Sequence, residues 1–393
     1  MSAEPRPGAL VISRNLPPLT GGMERLNFHA YLALRNEFEV AVCGPIGVGA
    51  LLAKGDRYTE IKCSPLSRFL AACQWQSWKL ARRSRPKLVY SGSGLTAPAA
   101  LMAARSVGAR SACFLHGLDI VADHPIYRRF FLPAIRRQDR ILVNSHHTAR
   151  LAESVGVKPD RIRIVHPGVD LPDFSIRTEA RKAFRERFSL ADRPVLLAAG
   201  RLTERKGLEP FIRQSLPEIV RRIPDTLLVV IGGEASQALQ HRPGIMEGIR
   251  KASSDAGLES QIRLLGSVTD EVLSQAYFAA DLLVFPALDL PGDVEGFGMV
   301  AMEAAAHGLQ TIAFRVGGVP DAVAHGVSGW LLEPGDYQKM GQTIIRALGS
   351  AGAPESMRRV DIEIAYRHAE RFRWATFDSS LLEALSMTET RDR

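Results

Sequence analysis

The segment from Phe285 to Asp321 constrains the fold more than any other part of the sequence. An apolar strand over Leu282 to Pro286 runs into a polar loop, which ends in a turn at Gly296-Phe297-Gly298. A helix of small residues follows and ends at Gly308, and another strand then leads to a second turn at Gly317-Gly318. This order is typical of an open α/β sheet, which binds ligands at the carboxyl ends of its strands.

Two glutamates of this segment, Glu295 and Glu303, are eight positions apart. On a straight helix that spacing corresponds to a rise of about 12 Å, whereas the two carboxyl groups of a retaining glycosidase lie about 5 Å apart. The spacing argues against a hydrolase pair and predicts two carboxylates that contact different parts of one long ligand. Two solvated glutamates beside a turn are the alternative.

Apolar runs with the length of strands alternate with helical segments along the whole chain. The strands are predicted at 9–13, 40–43, 88–90, 111–115, 141–144, 195–199, 227–231, 262–266 and 329–332. This alternation predicts parallel sheets that are covered by helices on both faces. A length of 393 residues suggests two domains.

Three short motifs at predicted strand ends are candidate ligand contacts. Gly21-Gly22 follows the first strand and opens a helix, which suits a phosphate; a tight turn without a ligand is the alternative. His116 ends a strand before a glycine and suits a ligand site, or it is a buried core histidine. Arg201 and Lys206 lie on a glycine-bounded loop and suit a diphosphate, or they are solvated surface cations.

In chain order, these motifs resemble those of glycosyltransferase family 4, whose members are retaining enzymes of the GT-B fold that use nucleotide sugars. The motifs are Gly21-Gly22, His116-Gly117, Gly200-Arg201-x₄-Lys206-Gly207, Glu295-x₇-Glu303 around Gly296-Phe297-Gly298, and Gly317-Gly318-Val-Pro-Asp321. The sequence departs from the family at His166-Pro167, where Pro-Asn is usual before Gly-Val-Asp.

The resemblance implies the roles of individual residues. His116, Glu295, Arg201 and Lys206 are expected to be catalytic, because His116 and Glu295 orient the sugar while Arg201 and Lys206 neutralise the leaving diphosphate. Glu303 is expected to bind the ribose. The donor-binding set is expected to be Gly21, Gly22, Arg201, Lys206, Gly266, Val268, Glu295, Phe297, Gly298, Met299, Val300 and Glu303.

The resemblance also implies the domain plan, an α/β GT-B fold with two facing Rossmann-like domains. Residues 1–172 are expected to form the acceptor-side domain and residues 173–370 the nucleotide-sugar domain. Residues 371–393 are expected to form a C-terminal helix that crosses back to the first domain. No Asp-x-Asp motif occurs in the sequence, so neither a metal nor another cofactor is expected.

Charge and aromatic residues predict a membrane surface as a partner. The formal net charge is +8 and the pI about 9.5, which suits anionic partners. The segment Leu66–Lys87 combines Trp75 and Trp78 with lysines and arginines, as interfacial helices do, and residues 127–137 are also basic and aromatic. The alternative is a helix that packs both tryptophans into its domain. No nucleic-acid-binding motif is present, so nucleic acid is not expected as a partner.

The N-terminus lacks the pattern of a signal peptide, and the four cysteines form no Cys-x-x-Cys motif. Both features predict a cytoplasmic protein, and the two basic aromatic segments favour a peripheral position on the inner face of the cytoplasmic membrane. The resemblance implies transfer of a hexose, with mannose as the favoured sugar, from a GDP- or UDP-sugar to a glycan or lipid-linked acceptor. It also implies a pathway of bacterial cell-surface polysaccharide, lipopolysaccharide or glycolipid assembly. Alternatives are a UDP-glucose or UDP-N-acetylglucosamine transferase, a sugar-nucleotide epimerase, and a non-catalytic nucleotide-sugar-binding protein.

Overall fold

The chain forms two compact units, which the computed structural model describes over residues 6–234, 244–349 and 362–386. Unit 1 comprises Met1–Gly168 and Trp374–Arg393, and unit 2 comprises Val169–Arg373. The units therefore divide after residues 168 and 373, whereas the sequence-based boundaries lie after 172 and 370. Each unit has its own parallel sheet and its own buried core.

Unit 1 is built on a seven-stranded parallel sheet with the order β3-β2-β1-β4-β5-β6-β7. Its strands are β1 (Gly8–Ile12), β2 (Glu39–Pro45), β3 (Arg57–Ile61), β4 (Leu88–Ser91), β5 (Arg110–Leu115), β6 (Arg140–Val143) and β7 (Ile162–Ile164). Its α-helices are α1 (Gly22–Glu37), α2 (Leu66–Ser84), α3 (Ala97–Val107), α4 (Leu118–Val121), α5 (Leu132–Arg136), α6 (His146–Ser154) and α16 (Trp374–Leu385). A π-helical segment, Tyr127–Phe131, precedes α5.

Unit 2 is built on a six-stranded parallel sheet with the order β10-β9-β8-β11-β12-β13. Its strands are β8 (Val195–Ala199), β9 (Leu227–Ile231), β10 (Ile262–Gly266), β11 (Leu282–Phe285), β12 (Thr311–Phe314) and β13 (Gly329–Leu332). Its α-helices are α7 (Arg177–Arg187), α8 (Leu208–Gln214), α9 (Leu216–Arg222), α10 (Ile245–Asp255), α11 (Asp270–Ala279), α12 (Met299–Ala306), α13 (Val319–Ala322), α14 (Tyr337–Leu348) and α15 (Ile362–Glu370).

Each sheet has one point at which the strand order reverses. In unit 1 this switch point lies between β1 and β4, and in unit 2 it lies between β8 and β11. Loops that leave adjacent strands at such a point diverge to opposite faces of the sheet, and ligands bind in the crevice between them. The predicted α/β class with two parallel sheets is confirmed, and the sheet orders locate two crevices.

The structure corrects the sequence-based expectations at three points. The edge strand β3 was not predicted, because its residues are largely exposed and lack a continuous apolar run. The helix expected over Leu66–Lys87 ends at Ser84, where Arg85 adopts a left-handed conformation. Finally, Glu295 precedes α12, so the eight positions between Glu295 and Glu303 do not measure a helical rise.

Candidate functional site

Two loops meet at the switch point of unit 2. The first, residues 200–207, follows β8, and the second, residues 286–298, follows β11. The N–H of Leu288 donates to the carbonyl oxygen of Arg205 at 2.8 Å. Gly207 has a φ of 66°, and a Cβ at this position would collide with the carbonyl oxygen of Pro286. The first loop can pack against the second only because residue 207 is glycine.

A buried charge cluster joins these loops. Lys206 Nζ lies 3.0 Å from Glu295 Oε2, and Arg205 forms an ion pair with the same oxygen. The Arg205 Nε donates to Asp293 Oδ1 at 2.8 Å. The side chains of Lys206 and Glu295 are each 12% exposed and that of Arg205 is 9% exposed. Two cations and the Glu295 carboxylate are thus held together with little access to water, while the Asp293 carboxylate at the edge of the cluster is 28% exposed.

The charges of the cluster shift one another's pKa values. Burial alone would raise the pKa of Glu295, but attraction to Lys206 and Arg205 outweighs burial and lowers that pKa to about 2. Arg201, which is exposed, adds a smaller contribution in the same direction. Burial lowers the pKa of Lys206, while Glu295 opposes that change. The carboxylate is therefore ionised at neutral pH and stabilises the buried cation beside it.

The two glycine turns of the key segment pack backbone against backbone. The N–H of Gly318 donates to the carbonyl oxygen of Glu295 at 2.8 Å. A Cβ on Gly317 would collide with this carbonyl oxygen, and one on Gly318 would collide with that of Gly296. The second turn therefore fixes the backbone that carries the Glu295 carboxylate.

The start of α12 presents backbone N–H groups next to this carboxylate in sequence. Gly298 has a φ of 96° and precedes the helix, whose first backbone bond runs from the N–H of Ala301 to the carbonyl oxygen of Gly298 at 2.9 Å. The N–H groups of Met299 and Val300 lie before that bond, where helical N–H groups have no partner within the helix. The Phe297 side chain is buried in the core of unit 2, so Phe297 can contact a ligand only through its backbone.

Glu303 lies in a separate polar group. The hydroxyl of Tyr277 donates to Glu303 Oε2 at 2.9 Å. His307 bonds through Nδ1 to the carbonyl oxygen of Glu303 at 2.7 Å and through Nε2 to the Ser274 hydroxyl at 2.8 Å. Burial lowers the pKa of His307 to about 4, although the bond to the Glu303 carbonyl opposes this shift. His307 is therefore neutral at physiological pH.

The remaining predicted donor residues of unit 2 lie at the ends of adjacent strands. Gly266 ends β10 with a φ of 68°, and Val268 follows, partly buried against the core. The N–H of Gly232, which follows β9, donates to the carbonyl oxygen of Gly266 at 2.8 Å. These residues and the charge cluster all belong to the carboxyl edge of one sheet.

The predicted residues of unit 1 lie at the carboxyl edge of the other sheet. His116 is buried after β5, and its Nε2 donates to the carbonyl oxygen of Gly92 at 2.9 Å. Asp119 accepts from the N–H groups of His116, Gly117 and Gly94 at 2.9, 3.1 and 2.9 Å. Its carboxylate thereby fixes the turns after β4 and β5. Gly21 precedes α1 with a φ of 148°, and Gly22 is the first residue of that helix.

Sequence reasoning missed two residues that the structure places in contact with predicted ones. Arg205 bonds to both Asp293 and Glu295, and Tyr277 bonds to Glu303. Arg205 directly precedes Lys206 in the sequence, so its charge made it one of several candidate cations on this loop without showing that its side chain points inward. The position of Tyr277 on α11 carries no comparable signal.

No helix in the described parts of the chain combines the length and apolar character needed to cross a bilayer. The helix α2 has a buried face that includes Phe69 and Leu80, and its last turn carries Arg82 and Arg83.

Comparison with known families matches both halves of the chain. The family model described as Glycosyltransferase Family 4 matches residues 20–172, and the model described as Glycosyl transferases group 1 matches residues 193–350. These ranges include His116 in unit 1 and the whole charge cluster in unit 2.

Two curated relatives are about one-third identical to the chain. The GDP-mannose-dependent alpha-(1-6)-phosphatidylinositol monomannoside mannosyltransferase of Mycolicibacterium smegmatis is 32% identical over 302 residues, which cover 75% of this chain and 75% of that protein. The D-inositol 3-phosphate glycosyltransferase of Nocardia farcinica is 32% identical over 256 residues, which cover 64% of this chain and 53% of that protein. The matched region thus spans about half the length of the second relative.

Solved structures share the fold over nearly the full length. Anabaena HepE in complex with UDP aligns with a TM-score of 0.78 at 19% identity, covering 96% of this chain and 99% of that one. Sucrose-phosphate synthase from Thermosynechococcus elongatus aligns with a TM-score of 0.76 at 19% identity, covering 97% and 98%. At these identities the likeness concerns the fold.

Proposed function

The chain belongs to the family 4 glycosyltransferases and has the GT-B fold, and we propose that it is a retaining, metal-independent hexosyltransferase. Its donor is a nucleotide diphosphate sugar, and GDP-mannose is the favoured candidate. Its acceptor is a lipid-linked sugar or a saccharide in the assembly of bacterial cell-surface polysaccharide, lipopolysaccharide or glycolipid. No further cofactor takes part.

The buried cluster of Arg205, Lys206 and Glu295 is the observation that carries this proposal. An ammonium group has three N–H donors, and Lys206 uses one of them on Glu295. The others can bind a phosphate oxygen. The cluster itself is balanced, with two cations and two carboxylates, so Arg201 supplies a surplus positive charge. Cations in these positions suit a leaving diphosphate and take the place that a metal ion has in other glycosyltransferases.

The proposed reaction needs no nucleophile from the protein. The bond between the anomeric carbon and the diphosphate oxygen breaks, and the acceptor oxygen attacks the same face. The acceptor proton passes to the leaving phosphate. Arg201 and Lys206 stabilise the negative charge that develops on the diphosphate, and Glu295 with the N–H groups after Gly298 orients the sugar. The sugar configuration is thereby retained.

Residues outside the charge cluster are proposed to contact the other parts of the nucleotide sugar. Glu303, whose carboxylate is oriented by Tyr277, is proposed to bind the ribose hydroxyls. The backbone from Gly266 to Val268 is proposed to contact the base, and Gly21 and Gly22 the diphosphate. His116 is proposed to contact a sugar hydroxyl through Nδ1, because Nε2 is occupied by Gly92.

A thermal-shift panel in EDTA tests the donor. GDP, GDP-mannose, UDP and UDP-glucose are added separately to the full-length chain, since a ligand of the folded state raises the melting temperature. We expect GDP and GDP-mannose to raise it. A response to the UDP compounds alone would replace mannose as the favoured sugar, and the absence of any response would contradict the transferase assignment.

We also propose that unit 1 binds an anionic membrane surface. Between Glu60 and Asp119 the sequence contains nine lysines and arginines and no acidic residue. On α2, Trp75 is 58% exposed, so the alternative that both tryptophans pack inside the domain is wrong for Trp75. The π-helical segment adds Phe130, which is 63% exposed, between exposed arginines. Exposed aromatic rings among cations favour the lipid–water interface.

Vesicle binding tests this surface. Replacing Arg82, Arg83 and Arg85 with glutamine is expected to weaken binding to phosphatidylglycerol vesicles by about 100-fold, from about 1 kcal/mol per cation. The matched control replaces three exposed cations of unit 2, Lys182, Arg187 and Lys251, with glutamine. Equal binding by both triple variants would show that α2 is a packing helix only.

A further inference from the structure

Arg205 connects the two loops of the unit 2 switch point through both its backbone and its side chain. Its carbonyl oxygen accepts from the N–H of Leu288, on the second loop. Its Nε donates to Asp293 Oδ1 at 2.8 Å, and its guanidinium group also forms an ion pair with Glu295 Oε2. One side chain of the first loop therefore bridges two carboxylates of the second.

Asp293 gives this bridge a fixed end. Its N–H donates to the carbonyl oxygen of Leu290 at 3.1 Å, which closes a β-turn. Pro291 and Gly292 occupy the centre of the turn, and Gly292 has a φ of 76°, as the third position of a type II turn requires. Proline presets the backbone of such a turn and glycine accepts the positive φ without strain, so the backbone that carries the Asp293 carboxylate is held in place.

The contacts of Arg205 distinguish its role from those of Arg201 and Lys206. The Arg205 side chain is 9% exposed, whereas Arg201 is exposed. Burial alone would lower the pKa of Arg205, but attraction to Glu295 and Asp293 outweighs burial and raises that pKa. The charge of Arg205 is thus directed at the two carboxylates, while Lys206 keeps donors that can bind a phosphate oxygen.

A diphosphate bound at Lys206 would share the charge of this cation with Glu295, and Glu295 must still keep one orientation to bind a sugar hydroxyl. We propose that Arg205, held by Asp293, is a positioning residue that keeps the Glu295 carboxylate in place while Lys206 binds the diphosphate. A planar guanidinium group suits this task because its donors point in fixed directions, unlike those of an ammonium group. The inference rests on the proposed function and adds a positioning residue to its sugar site.

Two substitutions of Arg205 test the proposal in the full-length chain. Release of GDP from GDP-mannose is followed in EDTA with methyl α-D-mannopyranoside as an added acceptor, and release of UDP from UDP-glucose is followed in the same way. We expect Arg205→Met to reduce kcat by about 100-fold, the effect of a small misplacement at a reacting centre. The Kd of the nucleoside diphosphate should hardly change, since Arg201 and Lys206 remain. Arg205→Lys keeps the charge and should recover part of the lost rate.

Arg213→Met is the matched control for Arg205→Met. Arg213 also pairs with two carboxylates of unit 2, those of Glu209 and Asp255, but at the surface. This control should release nucleotide at the wild-type rate. An equal loss of kcat in Arg213→Met and Arg205→Met would overturn the proposal, because the loss would then not depend on the contact with Glu295.

The pH dependence of kcat/KM separates positioning from a purely structural role. The charged groups around Glu295 are Lys206, Arg205 and Arg201, and Asp293 bonds to Arg205. Loss of the Arg205 charge removes one of the attractions that lower the pKa of Glu295. The pH below which kcat/KM falls should therefore be higher in Arg205→Met than in the wild type, and nearly unchanged in Arg205→Lys. A variant that only unfolds more easily would not show this difference.

Asp293→Asn keeps the proposal testable if Arg205→Met does not fold. Asparagine retains an oxygen that can accept from Arg205 but lacks the charge that strengthens the bond, so we expect kcat to fall by about tenfold. An undiminished kcat in both Arg205→Met and Asp293→Asn, with active wild type, would overturn the role of Arg205 alone. Absence of both nucleotide binding and nucleotide release in the wild type would instead contradict the proposed function.

Discussion

Lys206 is the residue on which the proposed chemistry depends most. It lies over the ring of Phe285, with Nζ 4.5 Å from the ring centroid, and it contacts Glu295. Replacement by methionine keeps the apolar stem and removes the charge. We expect kcat/KM of transfer to fall by about 1,000-fold, the upper range for loss of one group that stabilises a developing anion.

Lys182→Met is the matched control for this variant, because Lys182 is an exposed lysine of the same unit. The control should transfer at the wild-type rate, and both variants should melt within a few degrees of the wild type. An undiminished kcat/KM of the Lys206→Met variant would show that the diphosphate does not bind at Lys206.

His307 makes the stability of unit 2 depend on pH. An unfolded histidine takes up its proton near pH 6.5, whereas folded His307 does so near pH 4. Between these values the unfolded state binds more protons, so the free energy of unfolding falls as pH decreases, by about 3 kcal/mol over the full window. Urea unfolding of the wild type and His307→Gln at several pH values measures this slope. The variant should lose most of it, and equal slopes would contradict the assignment.

Residue roles were only partly predictable from the sequence. Lys206 and Glu295 could be named because they fall in recognisable motifs, and the structure brings them within 3.0 Å of each other. Arg205 could not be assigned, because a 3₁₀ turn over Glu204–Lys206 determines which of the neighbouring cations points inward. Arg205, within this turn, is buried, whereas Arg201, which precedes the turn, is exposed, and local sequence does not encode that difference.

At the scale of elements, the Gly317-Gly318 turn holds the loop that carries Glu295. Gly317→Ala is expected to lower the free energy of unfolding of unit 2 by about 3 kcal/mol, because the new Cβ adds a collision with the Glu295 carbonyl oxygen to the strain of a left-handed conformation. Gly326→Ala has the same type of φ but no atom within 4 Å, and it should cost about 1 kcal/mol. Denaturant unfolding compares the two variants.

The two alanine variants differ in steric crowding but share the left-handed backbone strain, so the difference between their losses of stability measures the contribution of crowding alone. Equal losses of stability would mean that the contact between the two turns does not constrain the Glu295 loop. Because the collision acts directly on this loop, Gly317→Ala should also reduce transfer, whereas Gly326→Ala should not.

Elements with clear apolar patterns were predictable, and polar edge elements were not. The strand β13 was predicted with the bounds that the structure has, Gly329–Leu332. The strand β3 was missed, since it pairs with β2 alone and exposes most of its side chains. In α2, Phe69, Cys73 and Ser77 are buried at helical spacing, but only the structure shows that Trp75 faces solvent.

At the scale of the whole molecule, the chain leaves unit 1 at Gly168 and returns to it at Trp374. Trp374 stacks on His29 of α1 with ring centroids 3.5 Å apart, and it packs into the unit 1 core. Trp374→Ala should destabilise unit 1 by about 3–5 kcal/mol, although the residue lies near the chain end. Trp330→Ala, on β13, should instead destabilise unit 2.

Calorimetry distinguishes these two tryptophan variants. A nucleoside diphosphate is expected to raise the midpoint temperature of the transition in which unit 2 unfolds, and this shift identifies that transition. Trp330→Ala should lower the midpoint temperature of the unit 2 transition, and Trp374→Ala should lower that of the unit 1 transition. If both variants lowered the same transition, the division of the chain into these units would be wrong.

The sequence predicted two parallel α/β units and the order of the motifs along them. It could not supply the side-chain contacts, because these depend on the sheet orders that bring residues 200–207 next to residues 286–298.

The most direct test of the central claim is transfer of labelled hexose from GDP-mannose in EDTA, with the anomeric configuration of the product read by NMR. The wild type should form a product with the configuration of the donor, and Lys206→Met should form almost none. An inverted product, or equal rates for the two enzymes, would contradict the account.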